Sequence, residues 1–248
     1  METDMNKETL VRLKELRLWG MYNSFKASLE NYNRDNMTID KFVSMLVSSE
    51  WDERYNRGVS RLIKAAGFRY VASMEELDYS RERGLDRNLM ERLASLAFIE
   101  EKKNVFITGS TGTGKTFVAS AIGYCACQKG LRVMYRNTAR LLGELKVSRA
   151  NNNILKDMKK LQKADLLILD DFALSPMDNI TRNILMDIID DRYVSKSTIL
   201  SSQIPVDTWY DAIGEQTVAD AILDRIVHGS IRIELYGESM RKRRGSNL

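Results

Sequence analysis

The chain has 248 residues, 44% of them hydrophobic and 29% charged, enough to bury a full core and too apolar for a disordered polyelectrolyte. A formal net charge of +4 gives no global basic excess, so a nucleic-acid partner has to be argued from local patches. The acidic start METDMNKETL lacks the regions of a secretory signal, and no run of about eighteen apolar residues occurs, so a cytoplasmic protein without a membrane span is expected.

Over residues 7–66 apolar side chains recur at helical spacing: Leu10, Leu13, Leu16 and Leu18, then Met21, Phe25 and Leu29, then Ile39, Phe42, Met45 and Leu46. Gly20 is expected to part the first two helices, and Thr38 to cap the helix through Lys41. This predicts a small all-helical section, residues 1–75, ahead of an α/β domain over 76–248, with the boundary between 67 and 85. In the helical section Arg54, Arg57, Arg61 and Lys64 share one helix face, with Arg69 just beyond and no acidic residue among them. Such a stripe suits the phosphates of duplex DNA; it equally suits a solvated helix face.

A connector, FRYVASMEELDYSRERGLDR, leads into a helix expected over 90–97. Beyond it short β-rich runs alternate with helical segments: VFIT (105–108), RVMYR (132–136), LLILD (166–170), TILSS (198–202) and IRIEL (231–235). That alternation predicts a parallel, doubly wound sheet with helices on both faces. LLILD is almost wholly apolar, as a strand covered on both sides should be. Cys125 and Cys127 stand at i and i+2 on a predicted helix, so they point apart and are expected to pack, not to form a disulfide or a metal pair. His228, the sole histidine, has no ligand cluster around it and is expected to pack as well.

The strand VFIT runs into Gly109-Ser-Thr-Gly112-Thr113-Gly114-Lys115-Thr116 and then a helix closed by Gly130. This is the G-x4-G-K-[ST] phosphate loop in its required strand-loop-helix setting. Its glycines let backbone N–H groups turn inward around phosphate oxygens at a helix N-terminus. Lys115 would then reach the β- and γ-phosphates, and Thr116 would offer its hydroxyl to Mg²⁺. Asp170, at the C-terminal end of a buried strand, would hold Mg²⁺ through water, and Asp171 would orient the attacking water. If TILSS lies between the other two site strands, its polar end meets the γ-phosphate, and Ser202 or Gln203 would sense hydrolysis. No Asn-Lys-x-Asp segment follows, which favours ATP over GTP.

Two arginines remain far downstream, Arg225 in AILDRIVH and Arg241 in GESMRK. A γ-phosphate gathers charge as its bond breaks, and an arginine there is worth about 10³ to 10⁵ in rate. Two at different depths suggest that one acts on its own subunit and the other is lent to a neighbour.

GSTGTGKT, LLILDDF, ILSSQIP, AILDRIVH and GESMRK, in this order and with LRLWGM and the segment from 80 to 109, resemble the IstB-like helper ATPases of insertion-sequence transposition, relatives of the DnaC and DnaA type AAA+ proteins. The resemblance spans essentially the whole chain. It implies an AAA+ ATPase that binds duplex DNA largely without sequence preference, forms a homo-oligomer in ATP and regulates the transposase of its element. It implies that Arg225 is an arginine finger acting in trans and Arg241 a sensor arginine acting in cis, and it turns the Arg54 to Arg69 stripe toward DNA. The sequence departs from the common pattern at Phe117, where relatives often have His, at Ala173, where Gly is frequent, and at Asp171, where many have the longer Glu. The shorter Asp171 fits slow hydrolysis or a bridging water. A DnaC-like helicase loader is the alternative; a phosphate-loop kinase would leave the stripe and the trans arginine without a purpose.

Overall fold

Alternation of buried side chains along five short strands organises the larger part of the molecule. The computed structural model describes residues 4–30, 37–80 and 83–240. Strands β1 (Val105–Gly109), β2 (Val133–Asn137), β3 (Leu166–Asp170), β4 (Ser197–Ser202) and β5 (Ile231–Leu235) form one parallel sheet in the order β2-β3-β4-β1-β5. The predicted strands and the parallel, doubly wound class are both found, with strand ends differing by a residue or so.

Successive residues of these strands go to opposite faces. On one face Val105, Ile107, Leu166, Ile168 and Ile199 pack with α4 (Arg87–Ala94), α5 (Ala97–Glu100) and α6 (Lys115–Gln128) through Met90, Leu93, Phe98, Val118 and Ile122. On the other, Phe106, Leu167, Leu169 and Leu200 pack with α7 (Thr138–Ala150), α8 (Ile154–Gln162), α9 (Asn179–Arg192), α10 (Trp209–Ile213) and α11 (Gln216–Val227). Each such side chain contributes about 1.5 to 3 kcal/mol on burial. Trp209 anchors the second face, its ring edge-on to Phe106 at 5.0 Å and to Phe172 at 4.7 Å. The helix expected over 90–97 is in fact two, broken where Leu96 turns to φ 63. Among the described residues no helix is long and apolar enough to cross a membrane.

The chain divides into two compact units, Met1–Arg61 and Leu62–Leu248, so the division falls nearer the N-terminus than the expected boundary at 75. In the first unit lie α1 (Asp4–Glu15), α2 (Trp19–Glu30) and most of α3 (Ile39–Ala66). Gly20 does not part α1 from α2. That break falls at Arg17, whose φ is 58, and Gly20 is the buried second residue of α2. It is glycine because a Cβ there would run into the carbonyl oxygen of Ser49 on α3. The N–H groups of Gly20 and Met21, orphan donors of a first helical turn, are taken up by Glu50 Oε2 at 2.8 and 3.3 Å. Glu50 is buried, yet its carboxyl lies below the usual range: burial opposes this, and the hydrogen bonds from Arg54, Met21 and Gly20 outweigh it.

Candidate nucleotide site

The phosphate loop leaves β1 at the C-terminal edge of the sheet, where a parallel sheet presents its ligand site. Gly114, at φ 94, caps the N-terminus of α6, and Lys115 and Thr116 form its first turn. Gly112, at φ 85, has no room for a side chain, because a Cβ would strike Ser239; its carbonyl accepts the N–H of Met240 at 2.9 Å. The loop is therefore gripped by the segment that leads to Arg241. Arg241 itself, like the basic tail to Arg244, lies outside the described residues. On another side buried Arg83, from the connector, donates to the carbonyl of Thr113 at 2.5 Å. Lys115 is buried, its Nζ donating to Ser110 O at 2.8 Å.

Asp170 is fully buried at the end of β3 and accepts three hydroxyls. Thr116 Oγ1 bonds its two oxygens at 3.1 and 2.9 Å, Tyr135 donates to Oδ2 and Ser201 to Oδ1. Burial first, and then the Asp170 carboxylate beside it, push the Tyr135 phenol far above its ordinary value, so it stays a donor. A lone carboxylate with a threonine hydroxyl at a phosphate loop is a hard-oxygen set of the kind that holds Mg²⁺ together with substrate phosphates.

Asp171 adopts φ 53, which turns its side chain out of the strand. Asn137 Nδ2 donates to its Oδ2 at 3.0 Å and Gln203 Nε2 to its Oδ1 at 3.2 Å, while Thr111 in the phosphate loop donates to Gln203 Oε1 at 2.5 Å. β4 does lie between β3 and β1, which brings its end into the site. Gln203 bridges the loop to Asp171. Ser202 is turned the other way, donating to Phe172 O at 2.8 Å and accepting from Trp209 Nε1 at 3.1 Å. Sequence reasoning missed Tyr135, Asn137 and Ser201. Strand alternation was the available signal, since 135 and 137 share a face, as do 201 and 203.

Arg225 stands elsewhere. It lies in the last turn of α11, ion-paired with Asp190 and donating to Ala221 O at 2.8 Å. Around it are Lys103, Asn104, Thr198 and Gly229, residues at the N-terminal ends of β1, β4 and β5, about 13 Å of strand away from the molecule's own phosphate loop. Of the basic stripe, Arg54 pairs with Glu50 at 2.7 Å and Arg57 with Glu53 at 3.3 Å. Acids one turn upstream thus compensate its first half. Arg61 and Lys64 are exposed on α3, and Arg69 lies over the ring of Tyr70. Phe117 packs against the core, and burial pushes the Cys127 thiol up to about 11, so both cysteines and this departure from the common pattern are packing features.

The family model described as IstB-like ATP binding protein matches residues 11–247. The chain is 38% identical over 234 residues to the insertion sequence ATP-binding protein y4pL of Sinorhizobium fredii, covering 94% of this chain and 96% of that one. It is 31% identical over 234 residues to the insertion sequence IS21 ATP-binding protein of Pseudomonas aeruginosa, covering 94% and 88%. Among solved structures it resembles the DnaC helicase loader (TM-score 0.55, 20% identity, 68% of this chain and 98% of that) and AMPPCP-bound DnaA from Aquifex aeolicus (0.59, 21%, 73% and 57%), which establishes the AAA+ fold. With residues 11–247 matched by the family model and a relative 38% identical over 94% of its length, the chain belongs to the family of IstB-like ATP-binding proteins of insertion sequences.

Proposed function

We propose that this protein is a Mg²⁺-dependent ATPase that assembles as a homo-oligomer on duplex DNA, largely without sequence preference, and regulates the transposase of its insertion sequence. The observation that carries the reading is the division of one catalytic set between two ends of the sheet. Phosphate loop, Asp170, Asp171 and Gln203 gather at the C-terminal edge, whereas Arg225 stands at the opposite edge. An arginine so placed cannot serve its own nucleotide and suits a neighbour's.

In this reading the loop N–H groups and Lys115 hold the phosphates, and Thr116 and Asp170 would hold Mg²⁺, whose charge offsets that of the β- and γ-phosphates. Asp171, released from Asn137 and Gln203, orients a water for attack on the γ-phosphorus as the bond to the β-phosphate oxygen breaks. Gln203 joins the loop to Asp171, which supports it over Ser202 as the residue that registers the γ-phosphate. Arg241 is assigned the sensor role in cis that the family resemblance implies, and Met240, just before it in sequence, donates its N–H to Gly112 of the loop. Arg61, Lys64 and Arg69, more than Arg54 and Arg57, are the stripe residues suited to DNA phosphates. Backbone contacts of this kind carry no base preference.

Light scattering coupled to sizing, with and without a duplex several helical turns long, tests the assembly. A discrete large complex is expected only with ATP and duplex. A monomer in every condition overturns the oligomeric reading, and tighter ATP-dependent binding to single strands at equal salt would favour a DnaC-like loader, with which this chain shares its fold.

A further inference from the structure

Asp170 is held from three elements at once. Tyr135 on β2 bonds one carboxylate oxygen and Ser201 on β4 bonds the other, so the two strands flanking β3 grip it from both sides. The third donor, Thr116, is shared between the two oxygens at 2.9 and 3.1 Å and belongs to the first turn after the phosphate loop. Tyr135 is 7% exposed, and its ring lies 6.4 Å from that of Phe68, so a phenylalanine would fill the same space. The phenolic hydroxyl is therefore not needed for packing, and Asp170 is its only hydrogen-bond partner among the described residues.

We propose that Tyr135 is a positioning residue for the metal-binding carboxylate: with Ser201 it fixes the plane of Asp170 and leaves the Thr116 side as the face that meets the nucleotide's divalent cation. This rests on the nucleotide reading above. Groups that orient a ligating side chain typically contribute about 10- to 100-fold to metal affinity or activity. A carboxylate with one anchor removed rotates about its last bond, and the geometry shared with Thr116 is lost. Tyr135 acts through Asp170 and not by touching the nucleotide.

The test uses the full chain with Tyr135→Phe, and Ser201→Ala as a second variant that removes the opposite anchor. A fluorescent ATP analogue is titrated first in EDTA and then at rising Mg²⁺, and Mn²⁺ held in the ternary complex is counted by paramagnetic resonance. Expected is an unchanged affinity in EDTA, because the phosphate loop is intact, with the Mg²⁺ needed for the affinity gain raised about tenfold or more. Thermal melting shows whether each variant folds; should Tyr135→Phe unfold, Ser201→Ala carries the test. A Mg²⁺ requirement equal to that of the unmodified protein, or an equal loss of affinity with and without the cation, overturns the proposal. If the unmodified protein itself fails to bind the analogue, the nucleotide reading falls, and this inference with it.

Discussion

Asp171 and Ala173 both carry positive φ, 53 and 57, on either side of buried Phe172. A left-handed conformation costs an L-residue with a Cβ roughly 1 to 2 kcal/mol, a cost glycine does not carry. Ala173→Gly should accordingly raise stability by about 1 kcal/mol, read as a higher denaturant midpoint with an unchanged slope; an unchanged or lower midpoint contradicts the strain. At Asp171 the carboxylate is held between Asn137 and Gln203. Asn137 is a poor target for testing that clasp, because its Oδ1 also caps α7 by accepting the N–H of Arg140 at 3.2 Å.

Among the elements, the join of α2 to α3 in the first unit depends on two residues that local propensity would not single out. Gly20 permits the close approach, and Glu50 supplies the acceptor for the first turn of α2, where a negative charge also meets the positive end of the helix dipole. Gly20→Ala is expected to cost about 1 to 3 kcal/mol through forced separation of the helices, measured by chemical denaturation of the full chain followed at its tryptophans. Because the Glu50 carboxyl is depressed below its ordinary value of 4.5, its contribution is present above that value and is lost as pH falls through the lowered one. Acidification below the usual carboxylate range should loosen α2 from α3, and Glu50→Gln should remove that part of the pH dependence; a Gln variant with the same acid profile would show that other carboxylates are responsible.

For the whole molecule the decisive feature is Arg225 at the edge of the sheet opposite the phosphate loop. If it completes a neighbour's site, Arg225→Ala should lower ATP turnover about 10³-fold or more while nucleotide binding persists. A mixture of Lys115→Ala and Arg225→Ala subunits should then recover part of the rate that neither has alone. Where a Lys115→Ala subunit lends its arginine to an Arg225→Ala neighbour, an intact phosphate loop meets an intact arginine; the reverse order lacks both. Mixtures no more active than their components would show that Arg225 does not complete a neighbour's site.

What the sequence determined by itself is the part of the fold and site made of contiguous residues. VFIT, the phosphate loop and the helix after it are adjacent in the chain, and the backbone geometry they need is written in their glycines. Likewise LLILDDF announces both a buried strand and the carboxylates at its end. Only the tertiary structure decided which distant residues meet them. The order β2-β3-β4-β1 brings Tyr135, Asn137, Ser201 and Gln203 beside the two aspartates, turns Ser202 into the core, and sends Arg225 to the far edge. The physical reason is common to all of these. Strand pairing and the two-residue alternation of a sheet are set by the packing of both faces at once, and that information is distributed along the chain, not held in any one segment.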